Sequence, residues 1–172
     1  QQADAPWAVT AVSRSPVTDG RRDAATRQFD LRDRRALERL IADIRPQAVI
    51  HAAAIANIDY CEAHRGEAEA VNVHVTQHLA ELCHAHGIRL IFCSTDTVFD
   101  GQRGGYREQD APVPLNFYAK TKIQAEKIVR ETLADSAVAR LSLVLGLPLV
   151  GGGNSFLARM IADFEAGSAS TI

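Results

Sequence analysis

Short apolar runs rich in valine and isoleucine alternate along this chain with longer stretches of helical period. That alternation limits the possible folds more than any other feature. "WAVTAVS" (7–13), "QAVIHAAA" (47–54), "IRLIFCS" (88–94) and "VARLSLVL" (138–145) read as buried strands. Between them, "RRALERLIADI" (34–44) sets Leu37, Leu40, Ile41 and Ile44 on one helical stripe, with Asp33 as its N-cap. A long helix over 66–86 carries Val71, Val75, Leu79 and Leu82 on one side and stops at Gly87, and a further helix covers 116–134. Continuous apolar strands joined by helices imply an α/β protein whose doubly wound parallel sheet is covered on both faces. With 172 residues, no internal repeat and no linker, the chain is expected to form a single domain over 1–172.

The formal net charge of −2 argues against a nucleic-acid partner, because phosphate binding needs a clustered cationic surface. The one basic-looking run, "RRDAATRQFDLRDRRALER", is broken by Asp and Glu and reads as a solvated surface. No apolar run approaches the roughly 20 residues that span a bilayer, and the opening residues carry no signal-peptide pattern. Cys61, Cys83 and Cys93 show no C-x-x-C spacing. Reduced thiols in a cytoplasmic protein are expected, with Cys93 a small core residue. His74 and His78 stand at i,i+4 without the glutamate of an H-E-x-x-H pattern, so they read as surface or interface histidines and no metal is expected.

In parallel sheets of this kind, ligands bind beyond the carboxyl ends of the strands. The unusual residues of the chain fall there: Ser13-Arg14-Ser15, then "HAAA", then "STDTVFDG". Small side chains let a flat ligand lie against the backbone, and the guanidinium of Arg14 offers a planar fork of donors to a phosphate. Asp96 reads equally as a second acid and as a loop residue capping backbone donors. A glycine-rich turn after a first strand, the usual pyrophosphate cradle, does not precede Arg14. The "GGG" at 151–153 follows a run interrupted by Pro148 and reads as a loop rather than a cradle. A sheet without that first strand would have two edges facing a gap, so the sequence is expected to lack about one 30-residue strand–loop–helix unit at its start.

"NFYAKTKIQAE" (116–126) places Tyr118 four residues before Lys122, with Lys120 between them pointing to solvent. Alone, the pair is equally a buried aromatic on an amphipathic helix. Read with "VIHAAAIANIDYCE", "AVNVHVT" and "STDTVFDGQRGGYREQDAPVPLNFYAKTK", it resembles the extended short-chain dehydrogenase/reductase superfamily. Within it the likeness is to the sugar-nucleotide-binding family of dTDP-4-dehydrorhamnose reductase, from about Val9 to the chain's end. The resemblance implies a Rossmann-like fold, with the glycine-rich opening and most of the C-terminal substrate region absent. It also implies an NAD(P)H-dependent reductase of a nucleotide-linked 4-keto sugar, and a homodimer formed through the helices near 66–86 and 116–134. By the same resemblance Thr95, Tyr118 and Lys122 are catalytic. Arg14, Asp30, Leu31, Ala52, Ala53 and Lys122 line the cofactor, with Arg14 leaning toward the 2′-phosphate of NADPH, and Asn72 supports the active-site backbone.

The chemistry suits those residue types. A phenol with a pKa of about 10 is poorly matched to proton transfer near neutrality, and a neighbouring ammonium, together with the positive nicotinamide of an oxidised cofactor, is expected to pull it down. A hydroxyl at Thr95 would stabilise charge on the substrate oxygen. Thr97 stands where the family's rhamnose reductases carry tyrosine, which weakens the case for that sugar. It also replaces the glutamate that the related 4,6-dehydratases need. An epimerase shares the same three residues, and a non-catalytic NADP-binding regulatory subunit, such as that of methionine adenosyltransferase, shares the fold.

Overall fold

Five parallel strands form two hydrogen-bonded sets, β1-β2 and β3-β4-β5, in a computed structural model that describes residues 7–15, 25–143 and 165–166. Two units result, residues 1–30 with 143–172 and residues 31–142. In the first, β1 (Thr10–Ser13) runs parallel to β2 (Ala25–Gln28), with Thr10 opposite Ala25 and Ser13 opposite Gln28. Gln28 Nε2 donates to the carbonyl of Arg14 at 3.2 Å, closing the turn side of that pair. The sequence reading missed β2 because "ATRQ" holds no apolar run; all four residues are exposed. The "GGG" at 151–153 and the end of the 138–145 segment lie outside the described residues.

The second unit carries the core. Its sheet runs β3 (Ala48–His51), β4 (Arg89–Thr95), β5 (Ser136–Leu141), all parallel. Central β4 is the most buried strand, with Leu90 and Phe92 both at 0% exposure. Helix α1 (Arg34–Ile44) starts where the sequence predicts: the Asp33 side chain accepts from the Ala36 amide at 3.0 Å. Its buried stripe is Leu37 and Ile41, whereas Ile44 at the C-terminal end is exposed. One short helix that the sequence reading missed follows β3, α2 (Ile58–Ala63); α3 (Arg65–Glu69) then begins the helix read over 66–86.

The predicted helix over 66–86 is not uniform. Between α3 and α4 (Val75–His86) the chain makes one widened turn, Ala70–His74, in which the Val75 amide reaches back five residues to the Ala70 carbonyl. Such π-turns recur at functional sites. Gly87 ends α4 at φ 64°, the left-handed conformation that a Cβ disfavours. Helix α5 (Phe117–Thr132) opens on Asn116, whose side chain accepts from the Ala119 amide at 2.8 Å. Among the described residues no helix is long and apolar enough to cross a membrane.

Candidate active site

Helix α5 lies against the carboxyl end of β4, and their contact assembles the site. Two features set the start of the helix. The Glu62 carboxylate on α2 accepts the Phe117 amide at 2.6 Å, placing negative charge at a helix N-terminus. Arg65 lies over the Phe117 ring at 5.1 Å. The first turn then presents Tyr118, half-buried, toward Thr95 at the end of β4. Burial pushes the phenol pKa up, as does the Cys61 thiol; the Thr95 hydroxyl, in side-chain hydrogen-bonding reach, acts in the opposite direction, and Asp96 raises it again.

Lys122 sits one turn further along the same face and is only 2% exposed. Its Nζ donates to the Cys93 carbonyl at 2.7 Å and lies 4.1 Å from the centroid of the Phe92 ring. Burial lowers its pKa to about 8, partly countered by Cys93 and Glu126. Without a cofactor, burial is the largest influence on the phenol and raises its pKa, while the Lys122 ammonium is committed to the Cys93 carbonyl of β4. A phenol held protonated at neutral pH is suited to giving a proton rather than taking one.

Thr95 caps the single 3-10 turn Asp96–Val98 by accepting the Thr97 amide at 3.2 Å. Its Oγ1 is also 3.0 Å from the Thr97 hydroxyl and 3.4 Å from Asp96 Oδ1. Of the two readings of Asp96, capping falls instead to Thr95. Thr97 therefore has a structural partner in Thr95, which the sequence did not reveal.

Asn72, 1% exposed within the π-turn, binds three ways. Its Oδ1 accepts the Ile55 amide at 2.8 Å, and its Nδ2 donates to the Ile55 carbonyl at 3.0 Å and to Thr121 Oγ1 at 3.1 Å. Thr121 in turn donates to the Tyr118 carbonyl at 2.7 Å. One side chain thus joins the segment after β3 to the first turn of α5. Behind it, Thr76 Oγ1 donates to the Asn72 carbonyl at 2.8 Å and so accepts from His51 Nε2 at 3.0 Å. His51 is the Nε2–H tautomer by that logic, and burial, with Lys122 second, lowers its pKa to about 4. Sequence reading missed His51 and Thr76 because only contact across the fold reveals them.

The remaining cofactor candidates are distributed. Ala52 and Ala53 are exposed just past the carboxyl end of β3, with no bulky side chain over the backbone. Leu31 is half-buried and lines a cleft of about 450 Å³ with Arg32, Arg34, His74 and His78, away from Tyr118 and Lys122. Arg14 and Asp30 belong to the other unit. His74 is exposed as expected, but His78 is not a surface residue: it is 6% exposed, its Nδ1 faces Arg34 Nη2 at 3.0 Å, and its Nε2 is 3.3 Å from Glu38 Oε1 off the line of a hydrogen bond. Apolar packing between α1 and α4 draws it inward, because Leu37, Ile41, Val75 and Leu79 bury the two helices' facing sides.

Comparison with known proteins gives the family and the fold. Residues 1–170 match the family described as RmlD substrate binding domain. Methionine adenosyltransferase 2 subunit beta of Bos taurus is 40% identical over 119 residues, 69% of this chain and 36% of that protein. A probable low-salt glycan biosynthesis reductase of Haloferax volcanii is 36% identical over 125 residues, 72% of this chain and 42% of the relative. The chain therefore spans well under half the length of these relatives. Among solved structures, dTDP-4-dehydrorhamnose reductase of Bacillus anthracis in complex with NADP superposes with a TM-score of 0.75 at 29% identity, covering 84% of this chain and 51% of that one.

Proposed function

This chain belongs to the RmlD substrate binding domain family, of the extended short-chain dehydrogenase/reductase superfamily, and on that premise we propose that it carries the catalytic half of an NAD(P)H-dependent reductase acting on a nucleotide-linked 4-keto sugar. The observation that carries the reading is the meeting of Thr95 and Tyr118 at the end of β4, one helical turn from a buried Lys122.

A nicotinamide cofactor, when bound, supplies a hydride to the carbonyl carbon. Tyr118 gives its phenolic proton to the carbonyl oxygen, and its raised pKa keeps that proton in place at neutral pH. Thr95 donates to the same oxygen and steadies the developing charge. Lys122 has three N–H donors and uses one on Cys93, which leaves two for ribose hydroxyls. The exposed Ala52 and Ala53 leave the backbone after β3 open to a flat ring. Arg14 would take a 2′-phosphate, the feature that favours NADPH over NADH, and Asp30 and Leu31 would flank the adenine. We propose that the working unit is a homodimer in the cytoplasm.

A second reading is favoured by one observation, the 40% identity to a methionine adenosyltransferase 2 subunit beta. In that reading the chain binds the dinucleotide as a regulatory subunit. NADPH consumption over a panel of nucleotide-linked 4-keto sugars separates the two: reduction of at least one sugar is expected, whereas cofactor binding with no reduction would favour the regulatory role.

A further inference from the structure

The same face of α5 that carries Tyr118 and Lys122 carries a third polar residue, Glu126, four positions on and 1% exposed. Its carboxylate is fully bonded. Ser94 Oγ donates to Oε1 at 2.6 Å, Arg140 of β5 approaches both oxygens at 2.7–3.2 Å, and Arg130 reaches Oε2 at 3.0 Å. Burial alone would push this carboxyl up, but the bonds from Arg140 and Ser94, with Arg130, outweigh it and hold the group ionised.

Ser94 lies between Cys93, whose carbonyl holds Lys122, and Thr95, which faces Tyr118. Helix and strand therefore meet at three points within three consecutive strand residues: Tyr118 with Thr95, Lys122 with the Cys93 carbonyl, and Glu126 with Ser94. Apolar side chains at 94 and 126 could fill the same space at no desolvation cost, but they would leave the helix free to slide. Directional bonds fix its register.

We propose that Glu126 is a positioning residue whose bond to Ser94 fixes the register of α5 on β4, and thereby the placement of Lys122 and Tyr118 at the end of that strand. The inference rests on the reductase reading of the site. Lys122 is the reporter. The titratable, charged or polarisable groups facing it are His51 from β3, Phe92 and the Cys93 thiol from β4, and Glu126 on its own helix, with Arg130 and Arg140 beyond.

The test uses Ser94→Ala, which leaves the arginine–carboxylate pairs intact, beside Glu126→Gln. Each variant is assayed for turnover, and the Lys122 ammonium is titrated by NMR with labelled lysine. Ser94→Ala is expected to lower kcat about 10-fold, in line with the sensitivity of reaction rates to small misplacements. It should also move the Lys122 midpoint upward from about 8, by about half a pH unit, because the carboxylate charge is less compensated. Glu126→Gln should move the midpoint downward by removing that charge. Opposite shifts are a signature that mere loss of stability does not produce. A Ser94→Ala protein with the parent's kcat and Lys122 midpoint overturns the proposal. If the parent chain reduces no sugar, the reductase reading fails, and the Ser94→Ala titration still decides whether the Ser94–Glu126 bond sets the surroundings of Lys122.

Discussion

The first turn and the middle of α5 meet the same strand in different ways. At its start, Tyr118 is half-buried and faces a small hydroxyl cluster of Thr95 and Thr97 beside Asp96. Eight residues later, Glu126 is sealed by two arginines and a serine, with Arg140 also lying over the Phe99 ring at 5.0 Å. In the proposed reaction, the weakly held first turn is where a proton moves, and the strongly held middle is where the backbone stays still. Lys122 stands between them and shares both characters: it is anchored to Cys93 yet buried enough to titrate near pH 8.

Substitutions at the two places should fail in different ways. Tyr118→Phe should reduce turnover about 100- to 10,000-fold, the usual range for a lost general acid, while NADPH affinity stays within a few-fold. Kinetics and cofactor titration on one preparation test this, and a large loss of NADPH affinity would reassign Tyr118 to binding. Arg140→Ala should instead destabilise the fold by about 3 kcal/mol in urea unfolding, because it leaves the buried Glu126 carboxylate short of its main partner. Lys127→Ala, which breaks an exposed pair with Glu131 on the same helix, should cost under about 0.5 kcal/mol. Similar losses for the two would remove the contrast.

His51 adds a pH dependence. Its folded pKa of about 4 lies below the ordinary 6.5, so the unfolded chain binds a proton first and unfolding is favoured as the pH falls. Its contribution is present above about pH 6.5 and lost progressively toward pH 4, by roughly 3 kcal/mol in all. Urea unfolding across that window should show the fall, and His51→Gln should flatten it while still donating to Thr76. A parent slope retained in the variant would assign the fall to other groups. The smallest effect is expected at Thr97→Val, which removes one partner of the Thr95 hydroxyl: about 1 kcal/mol or less in stability and a few-fold in kcat.

Local spacing made much of this legible. Period alone located α1 and α5, Asp33 and Gly87 marked helix ends, and the i,i+4 pair of Tyr118 and Lys122 projected from one face of α5. What the sequence hid depends on contacts between distant segments or on departures from regular period. Strand β2 has no apolar pattern, and the π-turn that aims Asn72 looks in the sequence like uninterrupted helix. Glu126 could be read onto the stripe of Tyr118 and Lys122, but its partners Ser94 and Arg140 come from two different strands. Position His78 shows the same limit from the other side: a polar residue on a helix reads as exposed until the packing of α1 is known.

The most direct test is a crystal structure of the protein soaked with NADPH. The account predicts the nicotinamide ring against the Tyr118 phenol, with Lys122 bonded to the ribose beside it. A dinucleotide bound with its nicotinamide remote from Tyr118 and Lys122 would contradict the assignment of these residues as the place of reaction.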